Sequence, residues 1–143
     1  MQIGEEVLIV SLRTLLVEDH KGFRDYIRSA LRTHPGIELV GEAENGLEAV
    51  ERAAALQADL IILDIGLPGL NGIEAARRIR INAGDTKVVF LSQESSPDIV
   101  HEAFKVGARG YILKSCAARD LTIALRVVMN GGNFVSAELN GRK

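Results

Sequence analysis

The sequence predicts an α/β protein: a doubly wound, five-stranded parallel sheet with helices on both faces. Three observations predict it. Short apolar runs and helix-period stretches alternate five times along the 143 residues, which is the signature of a parallel sheet with crossover helices. The runs are apolar throughout rather than alternating, so they read as strands covered on both faces. Four of the five also end on polar residues, so that chemistry gathers along one edge of the sheet.

The elements follow in order. Residues 1–11 form an N-terminal extension that the pattern does not place. Leu15-Leu16-Val17 is the first strand and runs into Glu18-Asp19. Residues 21–33 are helical, with Phe23, Ile27, Ala30 and Leu31 on one face. His34-Pro35-Gly36 stops that helix, because proline disfavours helical geometry before it. Residues 37–40 are a second short strand. Asn45 caps the next helix with Glu48 three residues on, and Leu47, Val50, Ala54 and Gln57 are expected to share its inner face, flanked by Ala49 and Ala53.

The third strand is Leu60-Ile61-Ile62-Leu63, and it delivers Asp64 into the loop Ile65-Gly66-Leu67-Pro68-Gly69-Leu70-Asn71-Gly72. Pro68, Gly69 and Asn71-Gly72 force a tight, irregular path. A helix over residues 72–81 turns Ile73, Ala76 and Ile79 inward and three arginines outward. Val88-Val89-Phe90-Leu91 is the fourth strand, ending on Ser92. Ser96-Pro97-Asp98 starts a helix with a cap, a first-turn proline and an acid near the positive end. Gly107 supplies its left-handed stop. Tyr111-Ile112-Leu113 is the fifth strand, ending on Lys114. Ser115 is expected to cap a last helix lined by Leu121, Ala124, Leu125 and Val128, with Cys116 packed in it. Right-handed crossovers leave few topologies, and the expected order is the flavodoxin-like 2-1-3-4-5. The domain then spans residues 12–132, and residues 133–143 read as a tail or the start of a linker.

Composition bounds the function. Hydrophobic residues at 47% and charged residues at 25% are ordinary for a globular chain with a proper core. A net charge of −2 gives this segment no general grip on nucleic acid. No apolar run approaches the ~18 residues that span a membrane, and Glu5 and Glu6 stand where a signal peptide carries positive charge. One cysteine excludes an internal disulfide. A cytoplasmic protein is expected.

In a parallel sheet Glu18, Asp19, Asp64, Ser92 and Lys114 all fall along one edge. Three carboxylates together repel unless a cation joins them. Oxygen donors in a small, hard site suit Mg²⁺ better than a soft metal. A carboxylate nucleophile, a divalent cation, an ammonium and a hydroxyl are what a phosphoryl group needs around it. Each residue has an ordinary alternative as a cap, a solvated end or a helix-start pair. Their joint occurrence, each at its own strand end, favours the site.

These residues, together with Gly110-Tyr111-Ile112-Leu113-Lys114, make residues 12–132 resemble the receiver domains of bacterial two-component response regulators. The resemblance implies that Asp64 accepts phosphate from a histidine kinase. It implies Mg²⁺ held by Asp19, Asp64 and the Gly66 carbonyl, and by Glu18 through water. Lys114 would contact the phosphoryl group, and Ser92 and Tyr111 would form the switch pair. The protein would be a phosphorylation-controlled switch rather than an enzyme. Two departures stand out: Ser115 replaces the proline that often follows the lysine in a cis bond, and Gln93 replaces a small residue after the switch hydroxyl. Gln93 is therefore expected to gate access to the site.

The Val17-Glu18-Asp19-His20 start, residues 110–115 and the Gly131-Gly132-Asn133-Phe134-Val135-Ser136 stretch are most similar to the branch whose receiver precedes a LuxR-type helix-turn-helix domain (NarL/FixJ-like). The resemblance implies a DNA-binding output domain beyond these residues, with a homodimer through the helix at 97–106 as a further expectation. The alternative is a stand-alone regulator acting by protein contact. Other classes fit worse. A haloacid dehalogenase-type phosphatase needs a second Asp two residues after Asp64, and Gly66 is there. A flavodoxin needs a phosphate-cradling loop after the first strand, where Glu18-Asp19 would repel phosphate.

Overall fold

A computed structural model describes residues 11–139; the expected extension at residues 1–11 lies almost wholly outside them. Strands β1 (Leu12–Val17), β2 (Ile37–Ala43), β3 (Leu60–Leu63), β4 (Lys87–Ser92) and β5 (Gly110–Leu113) alternate with helices α1 (Lys21–Arg32), α2 (Gly46–Ala55), α3 (Gly72–Asn82), α4 (Pro97–Lys105) and α5 (Ala117–Met129). The strands pair in parallel in the order expected, 2-1-3-4-5. Among the described residues the sheet has one strand more than expected. Phe134–Val135 forms β6 and pairs in parallel with β5, opposite Gly110 and Tyr111.

Strand residues divide strictly between two cores, as the two-residue strand period requires. Leu15, Val17, Ile61, Leu63, Val88, Phe90 and Tyr111 face α2, α3 and α4. Leu16, Leu60, Ile62, Val89, Leu91 and Ile112 face α1 and α5. The register brings Val17 beside Leu63 and Leu63 beside Phe90, so the strands end nearly level. Everything that follows β1, β3, β4 and β5 therefore opens onto one rim.

The helices correct the sequence reading in three places. In α2 the inner face is Ala49 and Ala53, while Leu47 is 54% exposed and Ala54 and Gln57 also face outward. At its first residue the helix meets the loop so closely that a Cβ on Gly46 would lie 1.9 Å from the Leu70 carbonyl oxygen. Ser115 caps nothing: Lys114–Cys116 is a single 3₁₀ turn, Ser115 is exposed, and α5 begins at Ala117. Cys116 is a half-buried residue at that junction rather than a core residue of the helix. Ser96 precedes α4 as expected but makes no side-chain cap bond. Asn45 and Asn71 do cap, accepting from the amides of Glu48 and Glu74.

Gly72 ties α3 to the site. A Cβ there would lie 2.1 Å from the Asp64 carbonyl oxygen and 2.7 Å from Ile65 Cα. Both neighbours are main chain and cannot swing aside. Gly72→Ala is therefore expected to lower unfolding free energy by about 1–3 kcal/mol, the usual range for overpacking. Urea unfolding measures it, and an unchanged midpoint would contradict the close approach.

Candidate active site

β1 and β3 are adjacent, so Glu18 and Asp64 meet as the first residues beyond their ends. Both are buried, 2% and 7% exposed, whereas Asp19 stands exposed on the rim. Carboxylate oxygens of Glu18, Asp19 and Asp64 lie within 4.8 Å of one another, close enough to ligate one metal ion. Three hard oxygen donors in this spacing suit a small divalent cation.

Lys114 reaches across from the end of β5. Its Nζ lies 3.0 Å from Asp64 Oδ2 and 2.9 Å from Glu18 Oε1, and 4.9 Å from the centre of the Phe23 ring. Burial works against the ammonium, but its hydrogen bonds to Glu18 and Asp64 outweigh that and hold its pKa above the ordinary value. Glu18 is shifted upward as well. Burial is the main cause and the Asp64 charge adds to it, and the contacts with Lys114 and the His20 amide do not fully compensate. The two directions are compatible, because Glu18 loses its hydration while Lys114 gains two anions.

The second half of the site is the end of β4. Ser92 is buried. The Glu94 main chain joins it to Tyr111: Glu94 N–H donates to Ser92 Oγ at 3.1 Å, and Tyr111 O–H donates to the Glu94 carbonyl at 2.7 Å. The Tyr111 ring is fully buried against Phe90, and burial pushes its phenol pKa upward. A cleft of about 590 Å³ brings Glu18, Asp19, Asp64, Gly66, Ser92, Gln93 and Lys114 onto one wall or another, with Gln93 exposed at its mouth. The Gly66 amide turns back to Asp64 Oδ1 at 3.4 Å.

Three contributors were not foreseen. Arg24 is buried and donates to the Glu18 carbonyl at 2.7 Å, while its guanidinium lies 3.4 Å from Glu42 and 3.6 Å from Glu44. It thereby ties the acidic pair to the end of β2. The signal was present: Arg24, Ile27 and Leu31 form an inward stripe at helical spacing. The His20 amide donates to Glu18 Oε2 at 3.0 Å, and Phe23 backs Lys114. Every described peptide bond is trans, that between Lys114 and Ser115 included.

A parallel α/β domain with three acids, a lysine, a serine and a buried tyrosine on one rim is the architecture of a receiver domain. The chain belongs to the response regulator receiver domain family, which it matches over residues 14–126. Within that family it is most similar to LuxR-type, NarL-like regulators. It is 36% identical to the nitrate/nitrite response regulator protein NarL of Escherichia coli K12, over 87% of this chain and 58% of that protein. It is 32% identical to the transcriptional regulatory protein LiaR of Bacillus subtilis, over 92% of this chain and 62% of that protein. The chain thus spans about three fifths of these relatives. Among solved structures, a LuxR-family two-component response regulator from Aurantimonas sp. SI85-9A1 superposes with a TM-score of 0.86 at 30% identity, over 90% of this chain and 92% of that one. The response regulator domain of Thermotoga maritima CheB gives 0.78 at 34%, over 84% and 97%. No helix among the described residues is long and apolar enough to cross a membrane.

Proposed function

We propose that Asp64 is the phosphoacceptor of a two-component system, loaded by a histidine kinase, and that its phosphorylation state is the output of this domain. The observation that carries the reading is Lys114 Nζ, 3.0 Å from the Asp64 carboxylate at the floor of an acidic, solvent-open cleft. Asp64 Oδ attacks phosphorus, a P–O bond forms, and the donor's bond to phosphorus breaks with the electron pair leaving on the donor. A histidine donor leaves as imidazole. Lys114 meets the charge on the transferred group, and Ser92 offers its hydroxyl to a phosphoryl oxygen.

Asp19 and Asp64, the Gly66 carbonyl, and Glu18 through water would hold Mg²⁺, whose contribution is to screen carboxylate–phosphoryl repulsion. The acidic cluster supports that assignment. Ser92 and Tyr111 both grip Glu94, which supports their role as the switch pair. The name of LiaR, a transcriptional regulatory protein, supports a transcriptional output, which we assign to a DNA-binding domain governed by this receiver. The test is incubation with acetyl phosphate followed by mass spectrometry. A gain of one phosphoryl group with Mg²⁺ and none with a chelator is the expected result; no gain in either overturns the reading.

Gln93 at the mouth of the cleft is the gate in this scheme. Gln93→Ala is expected to speed both gain and loss of label, by about tenfold for each ~1.4 kcal/mol taken off the barrier. Unchanged gain with slower loss would instead make Gln93 a residue that orients the attacking water.

A further inference from the structure

The six residues after Asn133 make contacts that a tail has no need of. Beyond β6, Ser136 N–H donates to the Tyr111 carbonyl at 3.0 Å. The Ser136 side chain is fully buried and is used twice. Its Oγ accepts from Leu113 N–H at 3.1 Å and donates to Asp120 Oδ2 at 2.7 Å. The hydroxyl thus continues the β5 ladder where β6 has ended, and it satisfies the amide of the residue immediately before Lys114. Asp120 is itself buried on α5 and paired with Arg119, whose guanidinium also holds Glu138 through two bonds. Arg119 thus pairs with both carboxylates of the cluster of Cys116, Asp120 and Glu138.

The chain then turns, Leu139 N–H donating to the Ser136 carbonyl at 2.9 Å. Leu139 packs against the core on the α4 side and lines a small groove with Ser95, Pro97, Val100 and His101. Residues 133–139 therefore reach the elements flanking the site, β5 and the start of α4, from two sides. Ser136 holds the strand carrying Tyr111 and Lys114. Leu139 lies against the start of α4 and beside Ser95, the residue that follows the Glu94 main chain shared by Ser92 and Tyr111.

We propose that residues 133–139 are a strap that positions the Lys114 end of β5 and carries the state of the site to the chain beyond residue 139. Ser136 and Leu139 are its two fixed points. The proposal rests on the reading of Asp64 as phosphoacceptor. Coupling of this kind is reciprocal: if loading the site shifts the strap's conformational equilibrium, the strap's states differ in affinity at the site, and altering the strap changes that affinity. A purely structural strap would change stability and leave that affinity alone.

The test uses the 143-residue chain with Mg²⁺ and beryllofluoride as phosphoryl mimic, comparing the unaltered protein with Ser136→Ala and Leu139→Ala. Hydrogen exchange at the Leu113, Ser136 and Leu139 amides is expected to change at least threefold on adding the mimic. Both variants are expected to shift the mimic's apparent affinity at least threefold and in the same direction. Leu139 is only partly buried, so its variant keeps the test alive if Ser136→Ala fails to fold. A response at Ser92 and α4 with none in residues 133–139, or variants that lose thermal stability while binding the mimic as before, overturns the strap alone. No response anywhere in the unaltered chain overturns the site assignment and the strap together.

Discussion

Replacing Asp64 by Asn is expected to abolish phosphoryl uptake while leaving the fold intact. Asparagine has the same shape, so it keeps an oxygen for the Gly66 amide and leaves the main-chain bond from the residue 64 amide to the Val17 carbonyl untouched. What it loses is the anionic nucleophile and one of the three charges facing the cleft. Lys114 retains Glu18 as a partner, so no buried cation is stranded. Mass spectrometry after acetyl phosphate treatment should show no added phosphoryl group in the variant. Circular dichroism should be unchanged. Equal labelling of the variant at the same position would remove Asp64 from its assigned role.

Glu18→Gln is expected to make the protein more stable and the site worse. Glu18 carries a raised pKa because burial outweighs its contacts with Lys114 and the His20 amide, and Asp64 repels it. The folded chain therefore holds the Glu18 proton more tightly than the unfolded chain. This group's contribution is fully present below its ordinary value of 4.5 and is lost as pH rises through the raised value. At neutral pH, well above that ordinary value, burial weighs against the charged carboxylate, and glutamine removes that cost. The variant should melt higher at pH 7, each kcal/mol being worth about 2–8 °C for domains of this general size. The gain should vanish in acid, where Glu18 is protonated folded or unfolded. Mg²⁺ affinity, followed by titration, should fall with the lost charge. A lower melting temperature at pH 7 would mean that the Glu18–Lys114 pair outweighs the burial.

The alternation of elements was legible because β3, β4 and β5 are buried apolar runs and each helix keeps a 3.6-residue stripe. The site was legible for the same reason. Once Leu63 and Val17 are at strand ends, Asp64 and Glu18 have nowhere to go but the rim. What was missed has physical causes too. In α2 the face of Leu47, Ala54 and Gln57 turns outward, and the side that packs on the sheet and α3 is the alanine side, Ala49 and Ala53, where small residues let the elements approach. A two-residue strand such as Phe134–Val135 shows no period, and its stability comes from β5 rather than from its own sequence. Arg24 reads as a surface charge until the Glu18 carbonyl and two glutamates are known to lie beneath it. Ser115 looked like a cap because the 3₁₀ turn that displaces the helix start leaves no sequence mark.

The short sixth strand also bears on solubility. A sheet has two outer edges, and each is a template on which another chain can polymerise. Here one edge is β2, which carries Glu38 and Glu42 and shifts register between Thr14 and Leu15, so a flat partner finds neither neutral surface nor even spacing. The other would be Gly110-Tyr111-Ile112-Leu113, uncharged and buried at every position. Two residues of β6 and the hydroxyl of Ser136 take up its main-chain bonds. They leave a new edge too short to seed a second sheet. Trimming the chain back to Gly132 would uncover four uncharged residues at the sheet margin, and lower solubility, read by light scattering, is the expected result.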